Sequence, residues 1–462
     1  MASTAVKERI GHDDFALERV PDDARYSWAS VALQRFGQLS ALSQFLLGAT
    51  LGVGMRFWPA VGAITLGAVI LEVVSIFVGI AGMREGLSTS VLARWTGFGR
   101  YGSALIGVIV ALSLVGWFGI QNAVFAQGLE SLLGGLPTWA WALLAGAAVT
   151  AIVVYGFASM TWTAYVTIPL FIGLIAWSIS IELTKHSLSS LVGSAAPGAH
   201  LGFAAATTLV AGGFIVGAVI TPDMTRFNRS VGDVIKQTVV GITLGEYGVG
   251  LVGVLLAHAV KTGNVIGIVT STSGAAGTVI LITATLKIND WNLYSSSLGF
   301  VNAIDRVVGG RRADRAVVTV VIGLIGTVLS AAGILTQFTG FLNALGVALP
   351  PVAGIMTAEY FLVRRWRPPL EASLAEGALP PTTPAWVPAT LVVWLAASLV
   401  GEYLPWGISA INALVVAFVL YGIVGRLGLV RGYREEASVE PSPGGVGLAG
   451  AGARPVGQLR AH

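Results

Sequence analysis

The chain has 462 residues, of which 55% are hydrophobic and 11% charged, and its formal net charge is +4. A soluble globular chain carries about a quarter charged residues, so this composition cannot cover a water-facing surface, and it excludes a soluble enzyme. The basic residues lie in short clusters between apolar runs, which argues against a nucleic-acid partner, and the absence of cysteine excludes disulfides and thiolate metal or redox centres.

From the N-terminus, residues 1–32 are polar, mixed in charge and without an apolar core. They read as a cytoplasmic tail, not a cleavable signal peptide. Apolar runs follow at about 33–52, 59–82, 102–130, 138–158, 163–181 and 202–221, then at about 237–260, 275–300, 316–337, 340–363, 386–402 and 405–427. A span needs about 20 apolar residues, so these runs predict an all-α membrane protein of about 12 transmembrane helices in one transporter domain, residues 33–430. A β-barrel would show strands of about ten residues in strict alternation, unlike these long Leu-, Val-, Ala- and Gly-rich runs. Residues 431–462, ending in PSPGGVGLAGAGARP and its neighbours, read as a disordered cytoplasmic tail.

Lysine and arginine set the orientation. Of 27 basic residues, 23 fall in the N-terminal tail, the even-numbered connections and the C-terminal tail; Arg56, Lys185 and Lys261 fall on the other side, and Lys287 falls inside a span. Cytoplasmic loops keep the excess of positive charge. Both termini are therefore expected in the cytoplasm, with the chain multi-pass in the inner (plasma) membrane.

Ionisable groups at membrane depth are functional candidates by default. The densest set is Lys287, Asn289, Asp290, Asn292 and Tyr294 in the eighth span. Lys287 and Asp290, three apart, share a helix face, and as a pair they serve either coupling or only each other. Glu72 and Glu246 are lone acids in the second and seventh spans, for which a structural role and a transport role both stay open. In VGWFGIQNAVFA, Trp117 and Gln121 share a face. A ring beside an amide can stack on a flat heterocycle and hydrogen-bond its edge, although a membrane tryptophan also serves as an anchor. Phe214 carries the same ambiguity, and Gly212, Gly213 and Gly217 around it would let the backbone approach a ligand. No HExxH, Walker loop or GxSxG is present, and the five histidines do not cluster. No enzyme and no cofactor is expected.

Five segments, GATLGVG (48–54), VGWFGIQNAVFA (115–126), TPDMTRFNRS (221–230), INDWNLYSSSLGF (288–300) and PPVAGIMTAEYFLVRR (350–365), resemble the nucleobase:cation symporter family, in its purine and cytosine permease branch, in order and spacing. The resemblance implies a LeuT-like fold: two inverted five-helix repeats plus two additional helices, with helix 1 broken near Gly37–Ala41 and helix 6 near Gly212–Phe214. It implies a secondary active transporter that imports a purine, pyrimidine or related heterocycle by alternating access. The base would lie between Trp117 and Phe214, with Ser40, Ala41, Gln121, Gly213, Asn289 and Asn292 completing the site. Leu114 and Ala284 stand where cytosine carriers have amides, which leaves other small polar substrates open, among them amino acids, hydantoins and allantoin-like compounds. A non-transporting receptor would need a soluble sensing domain, and no segment is long enough for one. Lys287 and Ile288 replace the hydroxyls of sodium-coupled members, so the sodium site near Gly37, Ser40, Ala284, Lys287 and Ile288 is expected to be degenerate and to hold no metal. Lys287 with Asp290 would then take over coupling, by carrying a proton or as a fixed charge in a uniporter. Besides substrate, protons and the bilayer, no partner is implied, and a monomer is expected.

Overall fold

A computed structural model describes residues 18–39, 41–155, 158–308 and 314–438, with the side chains of all these except 155, 158–168, 287, 302 and 305–308. The predicted runs are helices, the one open-ended structure that satisfies its own backbone hydrogen bonds in hydrocarbon. The first span is a broken pair, α1 (Trp28–Leu39) and α2 (Leu42–Gly54), bent by 56°. Ala41, at the joint, is extended with φ −133° and ψ 165°. The break therefore falls at the C-terminal edge of the predicted window, and Ser40 lies outside the described residues.

The chain continues through α3 (Phe57–Glu85), α4 (Gly99–Leu133), α5 (Thr138–Tyr155), α6 (Ala158–Lys185), α7 (Phe203–Val219) and α8 (Val231–Val260). Then follow α9 (Val265–Val308), α10 (Arg315–Ala331), α11 (Ile334–Val363), α12 (Pro388–Tyr403) and α13 (Ser409–Arg426). Among the described residues six helices are long and apolar enough to span a membrane alone, and the bent pair can make a seventh. α5, α7, α10 and α12 are shorter apolar helices, and α6 runs for 28 residues across the fifth predicted span.

Three expectations need correction. The sixth span is not broken near Gly212–Phe214: α7 is helical from Phe203 to Val219, and only at Ile220 does it yield to the short turn Pro222–Thr225. Gly212 serves close packing instead, since a Cβ there would collide with the carbonyl oxygen of Leu342 in α11. The eighth helix begins ten residues earlier than predicted, at Val265, and kinks at Gly274, where φ 62° is open to glycine. The tail from 431 is not wholly irregular. Strand β2 (Tyr433–Ala437) pairs antiparallel with β1 (Thr382–Trp386), which precedes α12.

β2 also ties down the start of α4, because Arg100 bridges to Glu436 at 3.3 Å and Tyr101 stacks on Trp386. At this arginine-rich end the N-terminal segment is anchored as well. Arg19, buried, bridges to Glu85 at 2.9 Å and donates to Ser373 at 3.0 Å, while Tyr360 donates to the other oxygen of Glu85 at 2.7 Å. Tyr421 and the backbone N–H of Trp366 both donate to Glu359. Asp223, in the turn after α7, accepts from the N–H of Thr89 at 2.7 Å, and burial pushes its carboxyl above the usual carboxylate range.

Candidate functional site

Trp117 and Gln121 sit midway along α4, one turn apart and both buried. The neighbouring face of the same turns is structural. Phe118 packs among Val149, Val153 and Ile322, and Asn122 donates to the Ala142 carbonyl and to Ser330. The face of Trp117 meets α11, whose Phe338 and Phe341 approach the indole edge-on at 6.1 and 5.3 Å between ring centres.

α9 lies antiparallel against α4. Gly128 faces Ile282, and Gly299 faces Ala111. That register brings Asn289 level with Gln121, with Asn292 one turn away on α9. Asn289 is fully buried and neither its Nδ2 nor its Oδ1 has a hydrogen-bond partner; the same holds for Oε1 of Gln121 and Nδ2 of Asn292. A buried amide without a partner costs about 1–3 kcal/mol, so four such atoms on two facing helices form a polar surface waiting for a complement. Asp290 is buried beside them, Ala284 is buried two turns before Asn292, and Ile288 is half-buried. Of Lys287 only the helical backbone is described.

α7 and α2 close the other side. The half-buried Phe214 ring lies over Gly217, where a side chain would strike it, and a Cβ at Gly213 would meet Leu47 of α2 at 3.1 Å. The first turns of α11 wedge between α4 and α7, touching Trp117 through Phe338 and Gly212 through Leu342. Trp117 and Gly212 thus meet neighbouring turns of α11. A cavity of about 290 Å³ adjoins Phe338, lined by Leu46 and Thr50 of α2, Val124 and Gln127 of α4, and Phe338 and Thr339 of α11, and neither Trp117, Gln121, Phe214 nor Asn289 lines it. It reaches Asn264, in the α8–α9 connection beside Lys261, on the arginine-poor face.

Sequence reasoning passed over Gln44. It is buried just after the break in the first span and donates from Nε2 to Oε2 of Glu246 at 2.5 Å. Its signal was available: an amide in the first turn of the apolar run LSQFLLGATLGVG.

A model of the permease family for cytosine/purines, uracil, thiamine and allantoin matches residues 20–425. The chain is 28% identical to the cytosine permease of Escherichia coli K12 over 358 residues, which is 76% of this chain and 82% of the relative. It is 26% identical to the hydantoin permease of Microbacterium maritypicum over 368 residues, 74% of this chain and 72% of the relative. Among solved structures, inward-facing Mhp1 superposes with a TM-score of 0.76 at 21% identity, covering 90% of this chain and 94% of that one. Closed Mhp1 with bromovinylhydantoin bound gives 0.71 at 22% identity, covering 89% and 95%. These likenesses place the chain in the LeuT-like, all-α transporter fold.

Proposed function

The chain belongs to the permease family for cytosine/purines, uracil, thiamine and allantoin, and from that premise we propose that it imports a nucleobase or closely related heterocycle through the site on α2, α4, α7, α9 and α11. The observation that carries this reading is the pair of level, partnerless amides, Gln121 and Asn289, enclosed beside the Trp117 ring. A planar ring with alternating N–H and C=O groups along its edge satisfies such amides while its faces stack on Trp117 and Phe214. Asn292 extends the polar edge, and Ala41 lends backbone at the break of the first span. The cytosine, hydantoin and allantoin permeases among its relatives share this pattern of a ring with N–H and C=O groups in their named substrates. Leu114 and Ala284 in place of amides favour a substrate with fewer edge contacts than cytosine.

Lys287 and Ile288 supply no hydroxyl ligands to a sodium ion, so transport is sodium-independent, with Lys287 and Asp290 at the coupling position. The protein acts as a monomer in the inner membrane with both termini in the cytoplasm, the orientation set by the basic clusters. Reporter fusions after residues 100, 236, 315 and 430 should all read cytoplasm.

The test is counterflow in proteoliposomes: vesicles loaded with an unlabelled base are given the labelled one, across a panel of purines, pyrimidines, hydantoin and allantoin. Exchange of at least one heterocycle is expected. Exchange of none, from protein that elutes as a homogeneous species, would overturn the reading.

A further inference from the structure

The break in the first span lies against an acid that the substrate site does not use. Gly245 of α8 faces Leu39, the last residue of α1, and Gly250 faces Gln44 and Gly48 of α2. Between these two glycine contacts α8 widens into a π-helical turn, Glu246–Gly250. Such turns inside α-helices occur frequently at functional sites. Glu246, the first residue of that turn, is fully buried; its Oε2 accepts from Gln44, and its Oε1 has no partner.

No cation faces this carboxyl among the described residues. α2 has no titratable side chain, and the charge that reaches Glu246 from α3 is that of Glu72, of the same sign, which accepts from Thr243 at 2.7 Å. On α1, Arg35 is engaged by Gln237 and Thr221. Further along α8, Tyr247 bonds to Thr65, and His258 is held by the carbonyls of Leu191 and Met55. A carboxylate kept from water without a cation is costly, and two neighbouring acids resist ionising together. A bound proton removes both costs.

We propose that Glu246 is the proton-binding site of the transporter and that Gln44 links its protonation to the position of α2. This deepens the sodium-independent reading above and rests on it, with Glu246 in place of Lys287 and Asp290 as the group that carries the proton. With the proton bound, the acid packs in the apolar space between α2 and α8, as the close glycine contacts require. When α2 moves from α8, water reaches the acid and takes its proton; the anion left behind, which the Gln44 N–H alone cannot balance, keeps the contact open until a proton is regained from the other side after the turnover. Glu72 limits the pair to one negative charge.

Two experiments test this on the full-length protein. In the first, proteoliposomes take up labelled cytosine, uracil, hypoxanthine and hydantoin with and without an inward proton gradient, and counterflow is measured alongside. Wild type should accumulate substrate at least about fivefold faster with the gradient. Glu246→Gln should keep counterflow within about twofold and lose the stimulation, and Gln44→Leu should weaken it. Stimulation of Glu246→Gln equal to wild type, or dependence of wild type on a sodium gradient instead, would overturn the proposal. The second needs no substrate. Infrared spectra of the protein in nanodiscs should show a protonated-carboxyl band at neutral pH that Glu246→Gln removes, while Glu72→Gln leaves it. Absence of that band overturns the proposal whatever the protein carries, whereas failed counterflow with the band present strikes the substrate reading alone and still supports a proton on Glu246.

Discussion

At the arginine-rich end, Arg19, Glu85, Tyr360 and Ser373 are buried together and each meets a partner; midway along α4 and α9, Gln121 and Asn289 are as deeply buried and have atoms with none. The first cluster joins the N-terminal segment, α3, α11 and the helix after it, Arg367–Leu374, so its hydrogen bonds stabilise this face of the fold. The second holds facing helices with their polar edges unspent. Buried polar groups that satisfy one another stabilise the fold, and each one without a partner calls for an explanation, which at Gln121 and Asn289 a ligand would supply. The faces of the molecule differ in the same sense. The arginine-rich end is tied by an ion pair, hydrogen bonds and a two-stranded sheet, while the opposite end opens into the cavity above Phe338.

The difference can be broken from either side. Removing one member of a buried, hydrogen-bonded ion pair costs about 3–5 kcal/mol, so Glu85→Ala should lower the unfolding free energy by roughly that amount in a denaturant titration, and substrate affinity in the surviving folded protein should stay near wild type. Asn289→Leu should act oppositely. The variant should lose about 1–3 kcal/mol of binding, roughly tenfold or more in affinity, while melting at or above the wild-type temperature, because an unsatisfied amide has been replaced by an apolar group of similar size. A lowered melting temperature in that variant would place Asn289 in the structural class.

Gly212→Ala should cost about 2 kcal/mol of stability, since its Cβ must displace the Leu342 carbonyl and part α7 from α11. The smallest effect is expected for Tyr421→Phe, which removes one hydrogen bond to Glu359 at 3.0 Å. About 1 kcal/mol in the same titration is predicted, with counterflow unchanged.

Much of this was legible in the sequence, because hydropathy marks the helices and the family resemblance implied a joint in the first span near Gly37–Ala41. Trp117, Gln121 and Asn289 could be singled out as polar or aromatic residues inside apolar runs, yet the level register of Gln121 and Asn289 could not. It depends on Gly128 and Gly299 fixing how α4 and α9 slide past each other. Gly212 was misread for a related reason: a glycine permits both a break and a close approach, and only the neighbouring Leu342 decides between them. The strand Tyr433–Ala437 was hidden because its partner lies about 50 residues earlier and its outward residues are charged. Gln44 stayed unnoticed because its meaning comes from Glu246, 202 positions away.

The central claim, that the partnerless amides on α4 and α9 read the substrate, is tested most directly by thermal unfolding of purified protein with a panel of nucleobases, hydantoin and allantoin. A ligand that binds only the folded state raises the apparent melting temperature. At least one heterocycle should do so for wild type, and the same compound should leave Gln121→Leu and Asn289→Leu unshifted at concentrations that saturate wild type, with both variants melting no lower than wild type when no ligand is added. Equal shifts in the variants, or a wild type that no compound in the panel stabilises, would contradict the account.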